Sequence, residues 1–158
     1  MKKHLLVLAA CSLLLLVAGC KKEEGNNPDS LNGNEARPSW VAPDEYDMTS
    51  SMTAVIRVDL AAQYPTTATD FVVKDDDLLA AFMGNDCVGV AALQDGLFYL
   101  YIAGQTSEGG DGMVTLRYYS AHYKNLFTAA NAFTFVNDGN QGTVASPFIP
   151  SFAVDAKK

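Results

Sequence analysis

Histidine and cysteine are scarce in this 158-residue chain, which holds two of the first and three of the second. Beyond position 20 only His122 and Cys87 remain, so no His-rich or Cys-rich metal centre is expected, nor a paired His/Cys catalytic centre. Positive charge is also short, with 11 Lys and Arg against 18 Asp and Glu and a net charge of −7. The few cations are dispersed, which excludes a phosphate-tracking nucleic-acid interface and direct adsorption to an anionic membrane. No apolar run reaches the roughly 20 residues of a bilayer span. No stretch sustains a helical period, and no Gly-x-Ser-x-Gly elbow is present. Gly109-Gly110-Asp111-Gly112 lacks the lysine and hydroxyl of a phosphate loop. These absences together point to a chain that is not an enzyme.

What is present begins with Met1-Lys2-Lys3-His4, a basic stretch followed by a mostly apolar segment over residues 5–17. That is the length of a signal-peptide core. It ends in Leu16-Val17-Ala18-Gly19-Cys20, which resembles the bacterial lipobox. The resemblance implies cleavage after Gly19, a diacylglycerol thioether on Cys20 and acylation of its new amino group. Several chains at about 0.8 kcal/mol per buried methylene make a stable anchor where one is marginal. Lys21-Lys22-Glu23-Glu24 is similar to the export signal that sends Bacteroidetes-type lipoproteins to the outer face of the outer membrane. Losing residues 1–19 removes Lys2 and Lys3 and no acid, leaving net charge −9 with nine basic and eighteen acidic side chains. Cys87 is then the one thiol left, no intramolecular disulfide forms, and its apolar strand predicts a buried small hydrophobe. Residues 20–39 are expected as a lipidated, unstructured tether, and residues 40–158 as the folded domain.

Within that domain the organising stretch is 77–92, where two short apolar arms flank Gly84-Asn85-Asp86, a hairpin turn signature. Both arms are apolar on both faces, so strands are expected to cover them. Alternation places Met52, Ala54, Ile56, Val58 and Leu60 on one side of a strand, with Thr53, Val55, Arg57 and Asp59 on the other. Residues 61–76 read as a loop. Further strands are expected at 97–103 (Phe98, Leu100 and Ile102 inward), 113–120 (Val114, Leu116 and Tyr118 inward), 123–127, 132–136 and 148–154, the last interrupted by Pro150. Phe82 is expected between the sheets with Phe98, Leu100, Leu116 and Tyr118. The fold class is all-β, an antiparallel β-sandwich of seven or eight strands, immunoglobulin-like or jelly-roll-like.

The order Trp40-x-x-Pro43, Asp77-x-x-Ala80-Ala81-Phe82, Cys87-x-Gly89-Val90-Ala91, Tyr118-Tyr119-Ser120-Ala121 and Gly142-Thr143 before Pro147 resembles an uncharacterised β-sandwich domain of Bacteroidetes surface lipoproteins. The resemblance implies an extracellular β fold and no established catalytic residue. Val88 stands where that family commonly carries arginine.

Two sites are candidates. If residues 104–112 join neighbouring strands, Tyr99 and Tyr101 lie beside Arg117 and Tyr119, giving rings to stack on sugar and a planar donor. Asp70, Asp75 and Asp77 form a calcium candidate, set against the alternative of a solvated strand start. The function expected is a non-enzymatic ligand-binding module, with glycan as the ligand class, facing the cell exterior from the outer membrane. The alternative is a structural or interaction subunit that docks to an envelope protein. Partners are thus the membrane through the lipid, and a glycan or an envelope protein, but no nucleic acid. Covalent lipid apart, no cofactor is expected except the calcium candidate.

Overall fold

The structure is a computed structural model that describes residues 30–42, 47–104 and 112–155. The signal segment, Cys20 and most of the 104–112 loop fall outside the described residues. Nine strands are described: β1 (Asp47–Ile56), β2 (Leu78–Met83), β3 (Asp86–Val90), β4 (Ala92–Gln94), β5 (Leu97–Gly104), β6 (Met113–Ser120), β7 (Asn125–Thr134), β8 (Asn140–Gln141) and β9 (Ala153–Val154). The first strand stops at Ile56 rather than running to Leu60, and a four-residue helix, α1 (Leu60–Gln63), replaces its expected end and the start of the expected loop, with the Asp59 side chain capping the Ala62 N–H.

The strands form two sheets packed as a sandwich, β4-β5-β1-β8 and β3-β2-β6-β7-β9. Alternation builds the core as the sequence predicts. Met52, Ala54, Ile56, Phe98, Leu100 and Ile102 from the first sheet face Val114, Leu116, Tyr118 and Phe127 from the second. Phe98 and Phe152 both pack on the Tyr118 ring, with centroids 5.9 and 5.7 Å away. The sandwich is not purely antiparallel, since β8 and then Phe148 run parallel to β1 along one edge. Expected strands 123–127 and 132–136 are one strand, β7, interrupted by a register shift against β6. The expected terminal strand is divided between the sheets, with Phe148 on β1 and Ala153 on β7.

The hairpin of residues 77–92 exists, turning at Gly84 with φ +60°, but it is not central as expected. β3 is the edge of its sheet, and after Ala91 the chain passes into β4 of the other sheet. At this crossing Gly89 comes so near β5 that a Cβ on it would lie 2.3 Å from the Tyr101 carbonyl oxygen. Phe82 also departs from expectation. Its partner Thr115 is on the outward face of β6, so Phe82 points away from the opposing sheet. It is buried nonetheless, because Trp40 meets its ring edge-on at 5.8 Å and the Arg117 guanidinium lies 4.4 Å over it.

What covers that outer face is the segment expected to be unstructured. Among the described residues, 31–40 dock on the five-stranded sheet. Leu31 is buried in the main core cluster, and its carbonyl accepts from Asn125 Nδ2 at 3.0 Å. The Gly33 and Glu35 N–H groups donate to the Tyr123 and Lys124 carbonyls at 2.8 and 2.9 Å. Arg37 Nε reaches the Asp76 carbonyl at 3.1 Å. Backbone pairing is what low hydrophobicity cannot reveal, and two apolar anchors, Leu31 and Trp40, hold the ends.

Candidate functional site

The four residues proposed as one aromatic platform are divided between two surfaces. β5 pairs with β1 and β4, whereas β6 pairs with β2 and β7, so residues 104–112 connect the two sheets rather than neighbouring strands. Tyr99 and Tyr101 are therefore on the outside of the four-stranded sheet, and Arg117 and Tyr119 on the outside of the other. The second pair is already occupied. Arg117 covers Phe82, and Tyr119, only 6% exposed, donates from its hydroxyl to the Glu35 carbonyl at 3.4 Å.

The outer face of the four-stranded sheet is different in character. Tyr99 sits between Val55 and Ala92, and Tyr101 beside Thr53. Tyr101 is 42% exposed, Thr53 and Arg57 are exposed, and Tyr99 and Val55 are half-buried. Asn140 Nδ2 donates to Thr53 Oγ1 at 2.8 Å, which fixes the amide and leaves its carbonyl oxygen directed elsewhere. Arg57 is fixed by its backbone, whose N–H donates to the Phe148 carbonyl at 2.9 Å. Among the described residues its guanidinium has no acceptor. Two rings two residues apart on one strand, flanked by a hydroxyl, an amide and a guanidinium, can stack on apolar sugar faces and bond hydroxyl or carboxylate groups. The signal for this face was in the sequence, since Thr53, Val55 and Arg57 alternate outward, but sheet order decides which strand lies beside Tyr99 and Tyr101.

The calcium candidate does not assemble. Among the described residues no group of three acids, histidines or cysteines can hold a metal ion. Asp77 is 3% exposed and fully engaged, its carboxylate accepting from the Tyr118 hydroxyl, from the Ala121 N–H at 2.7 Å and from the Lys74 N–H at 2.9 Å. Burial first, then the Asp77 charge and hydrogen bond, push the Tyr118 hydroxyl far above its ordinary pKa. Asp75 remains exposed, and Asp70 contacts His122 Nε2 at 3.1 Å and accepts from the Tyr123 hydroxyl at 3.3 Å. Desolvation pushes the Asp70 carboxyl up, but hydrogen bonds from its own backbone, His122 and Tyr123 outweigh it and hold it below its ordinary value. Tyr123 moves up, through desolvation and the Asp70 charge. This cluster ties the 61–77 loop to the β6–β7 turn. Cys87 is half-buried rather than fully so, and burial raises its thiol while Sγ lies 3.7 Å from the Gly89 carbonyl.

Comparison with known protein families, with curated proteins and with solved structures finds no match.

Proposed function

We propose that this chain is a non-enzymatic binding module, held at the outer membrane by lipid on Cys20 and facing the exterior, that takes glycan on the outer face of the four-stranded sheet. The observation that carries the reading is the contrast between the two outer faces. One is covered by the chain's own residues 31–40, while the other presents Tyr101 with Tyr99, Thr53, Arg57 and Asn140 around it. Tyrosine rings present flat apolar surface at small entropic cost, and arginine supplies a rigid donor fork for carboxylate-bearing or hydroxyl-rich sugars. The anchoring half of the reading rests on the lipobox resemblance and the short apolar segment before it.

The test is retention on a panel of immobilised polysaccharides by the lipid-free form, residues 21–158. Tyr101→Ala should weaken retention by about tenfold, equivalent to about 1.4 kcal/mol, with Arg57→Ala comparable. Tyr119→Ala, on the covered face, should leave retention intact if the fold survives. Absence of retained glycan on the unmodified protein would refute the reading and favour the docking-subunit alternative.

A further inference from the structure

The docked segment connects the anchor to one particular end of the sandwich. Leu31 and Gly33 are bound at residues 123–125, the turn between β6 and β7. From there the chain runs along the outer face past Tyr119 and Asp76 to Trp40 on Phe82. Phe82 pairs with Thr115, toward the opposite end of the sheet, where the β2–β3 turn at Gly84-Asn85 projects. β1 then begins at that far end, Asp47 pairing with Gly104. Its strand returns toward Phe98, which packs on Tyr118 near the β6–β7 turn. Residues 31–40 thus act as a strap running the length of the domain.

We infer that this strap sets the orientation of the domain on the membrane, turning the β6–β7 turn end toward the lipid surface and the β2–β3 turn end away from it. The inference rests on the lipid anchor at Cys20 proposed above. Ten residues separate Cys20 from Leu31, a length that can span at most about 35 Å. An undocked strap would move the first fixed point to Asp47, at the opposite end, after twenty-six residues that can span at most about 90 Å. Docking therefore exchanges which end is tethered, as well as shortening the tether. The near end carries Asp70, Asp75 and Asp76 with Lys74 and Lys124, all exposed. Gly33 is the tight point of the strap, since a Cβ there would lie 2.6 Å from the Lys124 carbonyl oxygen.

The experiment uses the full lipidated protein in phosphatidylcholine vesicles containing an acceptor-labelled lipid. In a Cys87→Ser background, a donor dye is placed on Asp75→Cys at the near end or Asn85→Cys at the far end, both exposed positions. The ends differ by about 25 Å along an eight-residue strand, so transfer from position 75 should exceed that from position 85 by roughly twofold or more. Gly33→Val, and separately Trp40→Ala, should abolish or invert that ratio while circular dichroism keeps the β signature. In the Gly33→Val protein, emission of the single tryptophan, Trp40, should shift to the red as docking is lost. Equal transfer from the two positions in vesicle-bound protein overturns the orientation alone, as does an unchanged ratio after Trp40 has become exposed. Failure of the protein to float with the vesicles overturns the anchor, and the orientation with it.

Discussion

Asp77→Ala removes one acceptor from three donors at once. The Tyr118 hydroxyl is fully buried, the Ala121 N–H half-buried, and the Lys74 N–H belongs to an exposed residue. A buried donor left unsatisfied costs about 1–3 kcal/mol, so Tyr118 and Ala121 together account for about 2–6 kcal/mol and Lys74, which water can reach, for little. Relief from burying a carboxylate offsets part of this, which brings the expected loss to about 3 kcal/mol. Against a total of about 5–15 kcal/mol for a domain, that is a large share. Urea unfolding followed by circular dichroism measures it as a lower midpoint at unchanged slope. Tyr118→Phe should cost less, because Asp77 retains two amide donors, and the two changes combined should show coupling of about 1 kcal/mol or more. A midpoint for Asp77→Ala equal to that of the exposed control Asp75→Ala would return Asp77 to the solvated strand start.

Three further outcomes are expected. Phe82→Ala should cost about 3 kcal/mol and shift Trp40 emission to the red, while Thr115→Ala costs far less; loss of stability with no spectral change would place Phe82 elsewhere. Because folding raises the Tyr118 pKa above the unfolded value of 10.0, its contribution to stability should be fully present below about pH 10 and be lost as pH rises beyond it, and Tyr118→Phe should make the alkaline fall shallower in a thermal-melt series. Cys20→Ala should leave the protein unlipidated, read as loss of detergent partitioning and of the acyl mass; an unchanged membrane form would contradict the lipobox reading.

The sequence carried the strands better than their neighbours. Alternation identifies the inward residues of β1, β5 and β6, and Gly84-Asn85-Asp86 marks the β2–β3 turn, where Gly84 takes positive φ. In β2 the run Leu-Leu-Ala-Ala-Phe-Met is apolar throughout, so period 2 is silent and the face of Phe82 was not legible. Sheet order was equally hidden, because nothing local distinguishes a loop that joins neighbours from one that crosses between layers. Alternation alone therefore sets Tyr99 and Tyr101 beside Arg117 and Tyr119, whereas the fold sets them beside Val55 and Thr53. The strap is hidden in the sequence for a physical reason too. Its stabilisation comes from backbone groups at Gly33 and Glu35 and from two anchors nine residues apart, which composition averages away. Asp77, third in a run of acids, looked solvated because charge runs usually are; only the fold brings Tyr118 and Ala121 to it.

The most direct test of the binding face is an NMR titration of the lipid-free form with an oligosaccharide fragment of a retained polysaccharide. Glycan binding on the outer face of the four-stranded sheet should gather amide shift changes on β1, β4 and β5 around Thr53, Val55, Arg57, Ala92, Tyr99 and Tyr101, with β2, β6 and residues 31–40 unmoved. Shift changes gathered instead on β2 and β6 around Ala80, Phe82, Arg117 and Tyr119 would contradict it.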